Sequence, residues 1–380
     1  MTRVKQATQA LPKLRFQHAA DLAFRRDLLR EAALYLQGGA GARHGDGWVY
    51  AKALGLALAM AAAYAAALHA STPAGFALAY IGAVCLAMAL GMNALHDAAH
   101  GALFKSARAN AVVRRLVAVP VGIDAGYWTA RHVHVHHTYA NIDGYDLDTE
   151  PNPFLRQTPF QPWSPQYRWQ HLYWPVVAAL SLPYLCWYSD WADRLQATKL
   201  HQLNGPVHPT GWGLFVLGKA AHAGLLLGLP LWALAGTPIG WGTVLACYVV
   251  GQMLASCFLV ALILGTHWAE VDFFQPPASG TLPHTWYEHS FHTACDWMPR
   301  PAWAAYWLGG LNAHLTHHLF PTYSHRHYPA LARIVRRVAG QHQLAYRQLG
   351  YAQLWASQQQ FLKAMGQQPV LGVEQGFATK

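Results

Sequence analysis

FALAYIGAVCLAMALGMNALHDAAH, residues 76–100, decides how this chain is read. Residues 76–96 carry no formal charge. A helix of about 20 apolar residues crosses a bilayer core. This one runs without a break into His96 and His100, spaced i, i+4. On a helix those two imidazoles share a face. One stretch therefore predicts a membrane span and, at its end, a pair of metal-ligand spacing.

Three further apolar runs extend the pattern: residues 53–70, 220–235 and 241–264. One such run would suit a buried helix of a large soluble protein; four predict membrane spans. The links 71–75 (STPAG) and 236–240 (GTPIG) hold no Lys or Arg. Of the 27 basic residues, Lys219 alone touches a span, at the edge of the third. The positive-inside rule then places both termini, the middle segment and every histidine cluster on the cytoplasmic side. The fold class is an all-α integral membrane protein. It has four transmembrane helices in two hairpins, interfacial helices, and a cytoplasmic helical cap holding a dimetal site. Residues 172–189 contain Pro175 and Pro183 with aromatic flanks, which reads as an interfacial or re-entrant helix pair. Residues 18–36 read as an amphipathic helix with Leu22, Leu29, Ala33 and Leu36 on one side, either packed or lying on the membrane.

Two more clusters repeat the histidine signal: HVHVHH at 132–137 and HLTHH at 314–318. His132, His136 and His137, then His314, His317 and His318, stand at spacings that let each cluster aim two or three rings at one point. With His96 and His100 this makes eight imidazoles, too many for one ion and suited to two. His134 lies two residues from His132 and from His136, so on a helix it points away.

The net charge of +10 fits contact with anionic lipid heads. It does not point to nucleic acid, since no basic stripe alternates with aromatic residues. The N-terminus shows no signal-peptide pattern. The five cysteines form no CxxC pair, so neither a disulfide framework nor an iron–sulfur motif is expected. The segment after about residue 365 is expected to be disordered.

Imidazole suits Fe, Zn, Cu and Ni, so histidine alone does not choose the metal. Structural zinc would need one closed site, often with cysteine. A bimetallic hydrolase would mix in bridging carboxylates, and these clusters hold one acid, Asp97. Carboxylates outside the clusters should orient the rings and offset their metals' charge. The candidates are Asp97, Asp124, Asp143, Asp146, Glu270 and Glu288.

Over roughly residues 52–345 the chain resembles the membrane fatty acid desaturases. The resemblance rests on HDAAHGALF (96–104), WTARHVHVHHTYANIDGYDLD (128–148) and GGLNAHLTHHLFPTYSHRHYP (309–329), in that order and spacing. It is similar to the acyl-lipid and acyl-CoA types, including the front-end type. His314 stands where many of those have Gln, and the HPGG of a fused cytochrome b5 is missing. The resemblance divides the chain into an N-terminal arm (1–51), a membrane desaturase domain (52–345) and a C-terminal tail (346–380).

The family implies two iron ions, O2 as co-substrate and no haem. It also implies a separate electron donor of ferredoxin, rubredoxin or cytochrome b5 type. The metal set it implies is His96, His100, His132, His136, His137, His314, His317 and His318. A further ligand is expected just after the fourth span, where His267 stands. His289 is a candidate ligand or supporting group, and Asn312 a candidate to hold a metal-bound water. Supporting acids are Asp97, Asp143 and Glu270. Trp128, Tyr127 and Trp268 are candidates to line an acyl tunnel. The implied reaction removes two hydrogens from adjacent methylenes, leaving a cis double bond and water. Hydroxylation or acetylene formation on the same scaffold is the nearest alternative, and a membrane metal-dependent hydrolase a more distant one. A bacterial inner membrane is the expected location.

Overall fold

The computed structural model describes residues 11–17, 22–204 and 210–368. Among the described residues, four helices are long and apolar enough to cross a membrane. They are α2 (Gly47–Leu68), α3 (Pro73–Ala99), α7 (Trp212–Ala233) and the helix Trp241–His267, called α8. These are the four spans read from sequence. Asp46 caps α2 by accepting from Val49 N, and Thr72 caps α3 by accepting from Gly75 N, with Pro73 in its first turn.

The hairpin turns precede α3 and α8, so both helices run away from them and finish in ligand-type residues, α3 in the HDAAH box and α8 at His267. The two helices touch closely. A Cβ on Gly251 of α8 would lie 3.2 Å from Val84 Cβ of α3.

Two basic residues stand inside the spans, contrary to the charge reading. Helices α2 and α7 start earlier than the apolar runs suggest, which encloses Lys52 and Lys219. Lys219 is 6% exposed and sits 2.7 Å from each of three acceptors: Gly122 O, Cys186 O and Asp190 Oδ2. A buried ammonium is tolerated when it is paired in this way.

Residues 170–194 form one helix, α6, where the sequence predicted a pair. Neighbouring α8 repairs its backbone near Pro183. Leu182 N donates to Ser256 Oγ (3.1 Å), which donates to Ala178 O (2.6 Å), so a hydroxyl stands in the helical ladder. Five residues of wider π winding follow, Leu185–Ser189.

Helix α1 (Leu22–Tyr35) packs against α11 (Tyr328–Gln341). It buries Phe24, Leu28 and Ala32, whereas Leu29 is 41% exposed. The expected face was therefore about one residue, or 100°, out of register. The aromatic ring of Phe24, edge-on to Phe291 at 5.6 Å, sets the buried side. Helix α12 (Tyr351–Gly366), in the segment taken as a tail, buries Leu354, Phe361, Leu362 and Met365. The stretch expected to be disordered lies outside the described residues from 369 onward. A short parallel pair, Asp296–Met298 with Gln348–Gly350, is the one sheet among the described residues.

Candidate metal centre

The histidines converge where the ends of α3 and α8 meet two further pieces of chain. Box one continues α3 after a π-wound stretch, Gly91–Leu95. Box two lies on α5 (residues 125–139), started by Asp124, whose carboxylate accepts from Gly126 N and Tyr127 N at 2.9 Å each. Box three opens the short helix α10 (His314–Leu319).

Gly309 lets box three pass α3, and Gly310 lets it pass Tyr328. Both have positive φ, 61° and 77°. A Cβ on Gly309 would lie 2.3 Å from Met92 O, and one on Gly310 would lie 2.4 Å from Tyr328 Cδ2. No other residue fits there.

Two four-imidazole groups result: His96, His100, His132 and His317, and His136, His267, His314 and His318. Within each, one ring nitrogen per residue lies within 4.8 Å of all the others. The boxes are thus divided between the groups, and only box one delivers its whole set to one of them. In box two the cause is π winding over Ala130–His136, which has more residues per turn than an α-helix. It brings His132 Nε2 within 3.3 Å of His137 Nε2 and sends His136 to the other group. His137 stands between the groups, its ring centroid 4.5 Å from His317 and 4.2 Å from His318. His134 is exposed, as its spacing predicted.

The rings are prepared for a cation. Buried ring nitrogens without a hydrogen-bond partner include His96 Nδ1 and Nε2, His100 Nε2, His317 Nε2 and His318 Nε2. Left so, each would be a costly unsatisfied group. Burial, reinforced by neighbouring imidazoles, holds His132, His137, His317 and His318 well below the ordinary histidine range. Neutral rings offer lone pairs.

The second group gives a sharper test. His136 Nδ1 faces Asp146 Oδ1 at 3.1 Å and His267 Nδ1 faces Thr293 O at 2.7 Å. Both acceptors demand Nδ1–H, which leaves lone pairs on the two Nε2 atoms. Those Nε2 atoms face each other at 3.1 Å, and His267 Nε2 faces His314 Nε2 at 2.8 Å. Such a geometry is repulsive unless a cation or a proton sits there. Burial opposes charge on His136, but the carboxylates of Asp146 and Asp148 outweigh it and push the ring up to about 9. The same carboxylates would offset the charge of a metal ion held by His136 Nε2.

The remaining candidates divide. Asp146 supports the site directly, and Asp148, 59% exposed, reaches His136 Nδ1 at 3.4 Å. Asp97 contacts Ser324 and His325, without a hydrogen bond to a clustered ring. Asp143 does not reach the clusters; its backbone N–H bonds Phe274 O. Glu270 is exposed and meets Ser357. His289 bonds Ala140 O (2.8 Å) and His284 (2.9 Å), so both its nitrogens are committed away from the clusters. Asn312 Nδ2 donates to Trp297 O.

Sequence reasoning missed Asp148, and it missed Tyr328, whose hydroxyl meets His317 Nδ1 at 2.8 Å. Trp128 stacks on His132 at 4.7 Å. Tyr127 is locked by Arg194 and Phe215. Trp268 lines a cavity of about 90 Å³ that reaches His132, His136, His267 and His314.

A family model described as fatty acid desaturase matches residues 70–350. The chain is similar to the acyl-lipid (8-3)-desaturase of Physcomitrium patens, with 29% identity over 275 residues, 70% of this chain and 55% of that protein. It is also similar to the sn-1 linoleoyl-lipid 6-desaturase of Synechocystis sp., with 29% identity over 304 residues, 77% of this chain and 82% of that protein. The sn-1 linoleoyl-lipid 6-desaturase of Arthrospira platensis is 29% identical over 255 residues, 66% of this chain and 67% of that protein. The chain thus spans little more than half the Physcomitrium patens relative and most of the Synechocystis one.

Proposed function

The chain belongs to the fatty acid desaturase family, and we propose that it is an O2-dependent desaturase acting on the acyl chains of membrane lipids. The observation that carries this reading is the pair of buried four-imidazole groups, with ring nitrogens left partnerless and lone pairs turned on one another. In this reading one iron is held by His96, His100, His132 and His317, and the other by His136, His267, His314 and His318. His137 serves the space between them.

Bound iron would supply the O2-dependent oxidation. The chain's own residues do the rest. Asp146 and the Thr293 carbonyl fix the Nδ1–H tautomers of His136 and His267, so that Nε2 of each is available. Burial keeps bulk water from a site whose work is on strong, unactivated C–H bonds. The lipid carrier is supported by the names of the relatives. Cytoplasmic placement of the site rests on hairpin turns without Lys or Arg.

Expression in a host of known lipid composition tests the reading. Acyl products two hydrogens lighter, carrying a located cis double bond and made only with O2 and a reductant, are expected. Products one oxygen heavier would make the protein a hydroxylase. Turnover without O2 and an electron donor would end the desaturase reading.

A further inference from the structure

Lys52 is 5% exposed, inside the first span, and its partners among the described residues are a carbonyl, an imidazole and a phenol ring. Its Nζ lies 2.6 Å from Tyr306 O and 2.7 Å from His325 Nε2, and 4.1 Å above the Tyr306 ring. His325 Nδ1 in turn lies 2.9 Å from Asp97 Oδ2. The same oxygen accepts from Ser324 Oγ at 2.7 Å and from His325 N at 3.2 Å. Asp97 is 1% exposed and His325 5%.

The chemistry of this chain of contacts is determined by its ends. An ammonium can only donate, so His325 Nε2 accepts. The ring hydrogen is then on Nδ1 and is donated to the carboxylate, which can only accept. A buried cation and a buried anion are thus joined through a neutral imidazole. Each would be costly alone, and removing one partner leaves the other uncompensated.

We propose that Lys52, His325 and Asp97 form a positioning relay that holds box one against box three and so sets the geometry of the His96, His100, His132 and His317 group. The relay joins three separate pieces of chain: α2, the end of α3, and the turn after α10. Asp97 is the neighbour of His96, and His325 follows His317 by eight residues. Two residues of this imidazole group are therefore anchored by adjacent links of one hydrogen-bonded chain, His96 beside Asp97 at its end and His317 upstream of His325 at its centre. Neither Lys52 nor His325 belongs to either imidazole group. The relay rests on the dimetal reading above, since its effect is on one of two metal sites.

The test is Co2+ titration of the purified, metal-free full chain in detergent, read by visible absorption and by bound metal per chain. The parent is expected to take up two ions. Lys52→Met should weaken one of them by about 10- to 100-fold, the usual effect of removing support from behind a ligand, and leave the other unchanged. Lys52→Met combined with Asp97→Asn removes both charges and should regain most of the loss, because residues of one hydrogen-bond network are not additive. His325→Gln, whose amide can both accept from Lys52 and donate to Asp97, should stay close to the parent, and His325→Leu should not.

Lys52→Met binding both ions at parental affinity would overturn the relay. If Lys52→Met does not fold, the double variant decides: a double variant that folds and binds two ions supports the relay, and one that fails equally overturns it. A parent that takes up no Co2+ overturns the dimetal reading itself.

Discussion

In the group His136, His267, His314 and His318, two rings are backed by strong acceptors, a carboxylate and a helix-end carbonyl. In the group His96, His100, His132 and His317, the nearest carboxylate is Asp97, and it is bound by His325 instead of by a clustered ring. The direct support there is a phenol, Tyr328, on His317 Nδ1. For His317 Nε2 to bind a metal, Nδ1 must donate to that phenol, and a phenol oxygen is a weaker acceptor than a carboxylate. The same residue type has thus been placed in two electrostatic settings. The carboxylate-backed group should hold the more basic ligands and the tighter ion. The other group depends more on being held in place.

The largest expected effect tests whether both groups are needed at all. His317→Ala and His318→Ala, one from each group, should each reduce desaturation to background. Each should lower bound iron from two to about one per chain while the protein stays inserted, because a group missing one of four ligands loses its ion more readily than its fold. Full activity in either variant would break the assignment. Chelation separates the groups without mutation. Iron should leave in two phases, with activity lost in the first, and the ion retained longer should be the one that Asp146→Asn releases. A single phase in which both ions leave together would remove the inequality.

Substitutions behind the ligands sharpen the comparison. Asp146→Asn keeps an acceptor for His136 but loses the charge, and should weaken that site by about 10- to 100-fold. Tyr328→Phe removes one neutral hydrogen bond of about 1 kcal/mol, or about fivefold, from the other site. Equal effects would mean that the carboxylate confers nothing on His136 beyond a hydrogen bond. Metal affinity is the readout for both, because activity would respond to loss of either ion.

Spacing made the eight box histidines and the four spans legible, because helical periodicity and apolar length are local properties. The division of the boxes was not legible. It depends on π winding at Ala130–His136 and on Gly309 passing α3, and Gly310 passing Tyr328, at contact distance, and both are tertiary. Pro183 misled for the same reason: the hydroxyl that lets α6 continue comes from Ser256, on another helix. Lys219 looked like an edge charge because its partner Asp190 lies 29 residues earlier, on α6. Of the supporting acids offered by sequence proximity, Asp146 reaches His136, held by Asn141 N at 2.8 Å and joined there by Asp148, whereas Asp143 and Glu270 do not. Tyr328 carries a signal in hindsight, since a buried tyrosine needs a partner for its hydroxyl and it follows the third box at short range.

The smallest effect bears on the register of box two. His134 lies midway between His132 and His136 in sequence and is exposed, its carbonyl accepting from Thr138 Oγ1 at 3.0 Å. His134→Ala removes a ring that faces away from both groups and leaves that backbone contact intact. An exposed substitution of this kind changes stability by about 0.5 kcal/mol or less, so activity and iron content should stay within about twofold of the parent. The contrast with His132 and His136 depends entirely on winding. In a different register His134 would turn inward, and one of its neighbours would turn out. Damage equal to that of His136→Ala would therefore reassign box two between the metal sites, and with it the claim that the carboxylate of Asp146 backs one site and not the other.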